Sequence, residues 1–193
     1  MSLRLFVALD PPDAVRRRLA AIAGEMRRLA GRAADEVKWV APENVHLTLQ
    51  FLGAVPEERV ADLERAVAAA AAASRPLRLE VRGAGGFPNA RRPRVLWAGV
   101  GGDVEALSAL VAGLGRLLAP LGYPPEERSF SPHLTLGRAR DGRGALGLGG
   151  ALAHASADEG IPWVADALTL FQSRLSPAGP RYQVLARAPL GGA

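Results

Sequence analysis

The sequence contains no cysteine. That removes disulfides, thiolate zinc sites and cysteine nucleophiles together, and leaves the compartment open. Lysine occurs once, at Lys38, with no nucleotidyl-transfer motif around it, and there is no P-loop. Both absences argue against ATP-driven ligation. Long apolar runs are missing too: the blandest stretch, Ala66 to Ala73, is alanine-rich, too short to span a bilayer and helix-forming. Arg4 and Asp10 interrupt the short apolar start, so no secretory signal and no membrane partner are expected, and the cytoplasm is the default location. Histidine and threonine are scarce, three of each, which makes their placement informative.

Two of the three histidines and two of the three threonines fall in one repeated tetrapeptide. His46-Leu47-Thr48-Leu49 returns as His133-Leu134-Thr135-Leu136. Side chains alternate faces along a strand, so each copy presents an imidazole and a hydroxyl on one face and two leucines on the other. A lone copy would read as an ordinary strand with a satisfied histidine; a matched pair points to a shared site. The third histidine, His154, follows a glycine-rich stretch and reads as a surface residue.

With 193 residues the chain is one domain or two small lobes, 49% hydrophobic and 22% charged. The formal charge is +5 and the pI about 10.8, carried almost wholly by arginine. Arginine grips phosphate with a two-pronged fork, so an anionic substrate such as nucleic acid is one reading. A solvated arginine face, as at Arg16-Arg17-Arg18, is the other.

In chain order, Leu3 to Leu9 predicts a buried strand. Val15, Leu19, Ile22, Met26 and Leu29 predict a helix from about Asp13 with its stop at Gly31. Val37–Val40 and Val45–Leu52 read as strands, and Pro56-Glu57-Glu58 as a helix start. Leu77, Leu79 and Val81 alternate with charges, as a half-buried strand does. Gly83 to Pro93 reads as a loop, and Arg94 to Val100 as a strand. Gly102-Asp103 should cap a helix whose inner face is Val104, Leu107, Val111, Leu114 and Leu118. Ser129 to Arg138 holds the second repeat. A glycine-rich loop to Gly150, a short helix near Ala151–Ala157, and strands Ala165–Arg174 and Arg181–Arg187 complete the chain. The spacing of the two copies is close to half the chain, so a pseudo-two-fold α+β molecule is expected, with two lobes and a cleft between the copies.

Two imidazoles facing one cleft can serve as base and acid of a displacement, each typically worth about 10²–10⁴-fold. Threonine hydroxyls can donate to oxygens where negative charge builds. No acidic residue keeps a metal-ligand spacing to the histidines, so no metal or other cofactor is expected. Phe6 and Phe51 could stack on a base or belong to the core. Tyr182 could reach the cleft or pack a hairpin. Arg91 and Arg92 could track an RNA backbone or solvate a loop.

The two motifs resemble the paired HxTx motifs of the 2H phosphoesterase superfamily. RLFVALDPP, VKWVAPENVHLTLQFLG, RRPRVLWAGV, FSPHLTLGR and LFQSRLSPAGPRYQ extend the likeness through most of the chain to the RNA 2′,3′-cyclic phosphodiesterases, also called 2′-5′ RNA ligase-like proteins. The resemblance implies one bilobal domain over residues 1–193, with antiparallel sheets and flanking helices around a central cleft. It implies metal-independent opening of terminal 2′,3′-cyclic phosphates on RNA to 2′-phosphates. His46 would be the proton donor, His133 the proton acceptor, and Thr48, Thr135 and Arg138 would bind phosphate. Strand parity places Arg138 on the opposite face from His133, so that role requires the chain to turn at Gly137. RNA ends, tRNA fragments among them, or small cyclic nucleotides would be the partners. Monomeric action is expected because the repeat supplies its own two-fold. The alternatives are a reversible 2′-5′ RNA ligase using the same histidines, and a non-catalytic RNA-binding module.

Overall fold

The computed structural model describes residues 1–127, 129–155, 160–176 and 179–191. The chain runs through β1 (Ser2–Leu9), α1 (Asp13–Ala30), β2 (Val37–Trp39), β3 (Leu47–Pro56), α2 (Val60–Ala72) and β4 (Leu77–Phe87). It then repeats the pattern with β5 (Val95–Gly102), α3 (Val104–Leu118), β6 (His133–Ala139) and α4 (Gly149–Ala155), and closes with β7 (Ile161–Ala165), β8 (Ala167–Ser176) and β9 (Gly179–Pro189). The fold is α+β, as expected. The strands form one antiparallel, curled sheet in the order β7-β4-β5-β6-β3-β1-β8-β9, with β2 also paired to β6.

The middle of that order is where the two copies of the motif meet. β3 and β6 are joined by a single ladder position, Leu47 opposite Leu134. These are the second residues of the two tetrapeptides, so the pseudo-two-fold passes through this pair. Outward from it the neighbours match: β6, β5, β4 on one side and β3, β1, β8 on the other. The repeat alone suggests that each half of the chain builds its own lobe. Instead strands cross between the halves: β4 pairs with β5, and β8 with β1. Periodicity cannot reveal this, because it reports which face of a strand is buried and not which neighbour the strand chooses.

The helices bury their apolar faces in the core, and α3 also borders the cleft that the motif strands line. Val15, Leu19 and Met26 of α1 are buried, while Leu29, at the frayed end of the predicted stripe, is 43% exposed. Leu107, Leu110, Leu114 and Leu118 of α3 are buried; the stretch Val104–Leu121 is long and apolar enough by composition to cross a membrane, with 28% of it buried. Asp103 precedes α3 but makes no cap bond; its carboxylate accepts from the Arg78 backbone N–H and from Arg75, both at 2.9 Å.

Several boundaries differ from expectation. β4 runs on to Phe87 through the stretch read as a loop, because Gly85 leaves room for the Trp97 ring, which a Cβ there would meet at 2.3 Å. β7 was not foreseen; it is an edge strand and so tolerates Pro162. β3 begins at Leu47 and extends to Pro56, and a 3-10 turn at Glu57–Arg59 precedes α2. Of the expected short helix, Gly149–Ala155 is formed, and residues 156–157 lie outside the described residues. Between β8 and β9, residues 177–178 also lie outside them.

Candidate active site

Each motif strand carries a bulge at the same place. On β3, Thr48 pairs with Ala8 and Gln50 with Val7, so Leu49 has no partner of its own. On β6, Thr135 pairs with Trp97 and Gly137 with Leu96, so Leu136 is the extra residue. One extra residue inverts the parity of everything after it. Consistently, Leu49 and Gln50 are both buried, as are Leu136 and Gly137, where strict alternation would expose one of each pair. The bulge resolves the parity conflict at Arg138: it returns that side chain to the cleft it lines with His133 and Thr135. It also brings Phe51, the equivalent residue of the first copy, to the same cleft, where it is 55% exposed.

Gly137 permits the local packing. A Cβ there would stand 2.6 Å from Val37 Cγ1, so only glycine lets β2 close against β6.

Both imidazoles are held the same way. His46 Nδ1 donates to the Asn44 carbonyl at 2.8 Å, and His133 Nδ1 donates to the Ser131 carbonyl at 2.7 Å, in each case the residue two positions upstream. The bond fixes the ring and leaves Nε2 as the free nitrogen. Continuing the Leu47–Leu134 register by one residue sets His46 across from Thr135 and His133 across from Thr48. All four line one cleft of about 1270 Å³.

The surroundings of the two rings differ. His46 stacks on Phe6 at 4.6 Å and meets the edge of Tyr182 at 5.1 Å, with Phe171 beyond at 6.3 Å. Burial in this aromatic nest pushes the His46 pKa down to about 4. The bond to Asn44 opposes the shift, and the charges of Arg138, Arg16 and His133 add to it. His133 has one aromatic neighbour, Phe87, edge-on at 5.1 Å. Burial also raises the pKa of the Tyr182 hydroxyl, partly offset by Arg138.

Most of the residues singled out from sequence converge on this cleft: His46, His133, Thr48, Thr135, Arg138, Phe51 and Tyr182. Phe6 does not remain free for a base, being 3% exposed beneath His46. Tyr182 both lines the cleft and packs the hairpin. Arg91 and Arg92 lie on the exposed turn after β4, outside the cleft lining. His154 is exposed and 3.8 Å from Glu25. Arg16, read as one of three solvated arginines, pairs with Asp10 and Asp13 close enough to His46 to act on it. Sequence reading missed Asn44 and Ser131, whose shared offset from the histidines was the available signal. It missed Phe87 because its stretch read as a loop. Among the described residues, no group of three histidines or acids is placed to hold a metal ion.

The site and fold have counterparts. The LigT-like phosphoesterase family matches residues 9–97 and 102–182. An RNA 2′,3′-cyclic phosphodiesterase of Methanothermobacter thermautotrophicus is 34% identical over 182 residues, covering 94% of this chain and 96% of the relative. The protein of the same name in Thermus thermophilus is 33% identical, covering 98% and 91%. A crystal structure of a Thermus thermophilus protein superposes with a TM-score of 0.78 at 31% identity, covering 98% of each chain. Escherichia coli LigT complexed with 3′-AMP gives 0.75 at 26% identity, covering 98% of this chain and 99% of that one. With the paired motifs in one cleft and the family match spanning both, this chain belongs to the LigT-like phosphoesterases of the 2H superfamily.

Proposed function

We propose that this protein hydrolyses the 2′,3′-cyclic phosphate at RNA ends to a 2′-phosphate, without a metal, using His46 and His133 as acid and base. The observation that carries the reading is the matched tethering of the two imidazoles: each is held through Nδ1 by a carbonyl two residues upstream, on strands that meet at the pseudo-two-fold. Relatives named RNA 2′,3′-cyclic phosphodiesterase, and LigT structures with 3′-AMP and with phosphate, support the substrate class.

In the proposed step, water attacks phosphorus in line with O3′. His133 Nε2 takes a proton from the water, the P–O3′ bond breaks, and His46 Nε2 gives its proton to O3′. The products are a 2′-phosphate and a free 3′-hydroxyl. Thr48, Thr135 and Arg138 hold the non-bridging oxygens, where the negative charge concentrates. The donor role asks His46 to carry a proton that the free site disfavours. Burial is the largest cause of that low value, and a bound phosphate anion works against it by offsetting the Arg138 charge and stabilising the imidazolium already bonded to Asn44.

One observation favours a second reading, with the roles exchanged. An imidazole held at about 4 is neutral at working pH and ready to act as the base. The test is hydrolysis of a nucleoside 2′,3′-cyclic phosphate with chelator and without ATP, the product located by phosphorus NMR. A 2′-phosphate product with an undiminished rate is expected. Chelation that abolishes the rate, or a 3′-phosphate product, overturns the mechanism. To separate the two role assignments, the His46→Ala and His133→Ala variants are compared on this substrate and on one with an activated phenolate leaving group. The variant lacking the acid recovers on the phenolate and the variant lacking the base does not.

A further inference from the structure

Basic residues continue past the cleft: Arg94 and Arg138 line it, and Lys38 stands just outside that lining. Lys38 on β2 lies directly across from Arg138 on β6, and Arg138 directly across from Val95 on β5. Residues paired across an antiparallel ladder share a face, so Lys38 and Arg138 project side by side. On that face Arg138 and Val95 line the cleft, and Lys38 sits at its edge. Val40, two residues beyond Lys38 and tied to β6 through its N–H to the Leu136 carbonyl at 2.9 Å, lines the cleft with Arg94, Val95 and Arg138. The alternate residues face inward: Val37 is buried, and the Trp39 indole N–H donates to the Ala34 carbonyl at 3.1 Å.

Lys38, Arg94 and Arg138 are exposed, and among the described residues none has a carboxylate within ion-pair distance. This contrasts with Arg16, Arg28 and Arg65, each paired with an acid on or beside its own helix. Like charges set opposite one another on a ladder repel and call for an anion between or above them. A terminal cyclic phosphate carries one negative charge, and Arg138 with the two threonines already addresses it. Lys38 and Arg94 exceed what that group needs.

We infer that Lys38, beside Arg138 on the ladder, holds the phosphodiester one nucleotide upstream of the reacting end, making the preferred substrate an oligonucleotide end and not a free nucleoside cyclic phosphate. The inference rests on the hydrolase reading above. The chain's single lysine thus reads a second phosphate while Arg138 reads the first, and chain length becomes a determinant of specificity. A lysine on a short edge strand also serves to discourage pairing with other chains, a role indifferent to substrate.

Three substrates distinguish the two roles: a nucleoside 2′,3′-cyclic phosphate, a dinucleotide ending in the cyclic phosphate, and the same dinucleotide with a neutral methylphosphonate at its internal linkage. Wild type should favour the charged dinucleotide over both others in kcat/KM. Lys38→Gln should lose roughly tenfold on the charged dinucleotide, the size of one exposed charge-assisted contact, and stay level on the other two. Lys38→Arg should restore most of the loss. The salt dependence of the charged dinucleotide's kcat/KM should flatten by about 0.7 in log–log slope in Lys38→Gln, as expected for one phosphate contact to a single strand. An equal loss on all three substrates, or none on the charged dinucleotide, overturns the second-phosphate site while leaving the hydrolase reading intact. If wild type turns over none of the three, the hydrolase reading fails and takes this one with it.

Discussion

The two copies of the motif are the same at the backbone and different in their surroundings. Both begin with a histidine tethered to a carbonyl two residues back, both bulge at the fourth residue, and both project the sixth residue into the cleft. Yet the first copy is set in aromatic rings and ends on Phe51, while the second has one aromatic neighbour and ends on Arg138. The comparison teaches that symmetry here supplies geometry, and that side chains packed around it supply function. Opposed imidazoles come from the repeated backbone. What sets the two imidazoles apart, in burial and in neighbouring charge, comes from what differs.

The largest expected effect concerns the histidines. His46→Ala and His133→Ala should each lower kcat/KM on a cyclic phosphate by about 10²–10⁴-fold. Similar losses on the natural substrate combined with opposite recoveries on a phenolate substrate would sharpen the division of labour. Equal behaviour on both substrates would show that the copies are interchangeable. Next is Arg138→Ala: if Arg138 grips the phosphate as proposed, the loss of a charge-assisted contact of roughly 1.5–3 kcal/mol should lower kcat/KM by about tenfold or more. It should also let the His46 pKa rise, because Arg138 helps depress it. Ring NMR titration of His46 with and without inorganic phosphate reads both effects, and an unmoved resonance in the variant would detach Arg138 from the site.

A third, smaller effect is on stability. His46 is depressed from 6.5 to about 4, so the unfolded chain binds the proton more readily than the folded one. Its contribution is therefore complete above about pH 6.5 and falls away as the pH drops towards 4. Allowing for the ring's partial exposure, about 1–2 kcal/mol should be lost over that window. In denaturant titrations His46→Gln should flatten that portion of the pH profile more than His133→Gln does; identical profiles would mean that the aromatic surroundings do not desolvate His46. Smallest is Phe51→Ala. If the exposed ring receives a base, the variant should raise KM for a nucleoside substrate roughly fivefold, the equivalent of about 1 kcal/mol at the lower end for a stacked base, with kcat little changed. No change in KM would leave Phe51 without a part in recognition.

Much of this was legible in the sequence because it is local. The His-Leu-Thr-Leu pattern states its own strand geometry, and the buried helix faces follow from spacing. What was hidden depends on partners. Arg138 looked misplaced because a bulge at Leu136 is visible only through its register with β5. β4 was cut short because Gly85 and Gly86 read as turn residues, when Gly85 is the floor under Trp97. Phe6 was left between core and substrate because only the fold shows that it lies under His46. The low pKa of His46 could not be read at all, since it is set by rings from β1, β8 and β9.

The crossing of β4 and β8 has a consequence for how the molecule comes apart. A cut in the segment between β4 and β5 leaves an amino-terminal piece holding β1 and β3 without β8, and a carboxy-terminal piece holding β5 and β6 without β4. Each fragment exposes an open strand edge that only the other can close. By this pairing the two pieces are mutual templates. Mixed, they should reassemble into an active heterodimer, and intact they should unfold in a single transition that dismantles both histidine strands together.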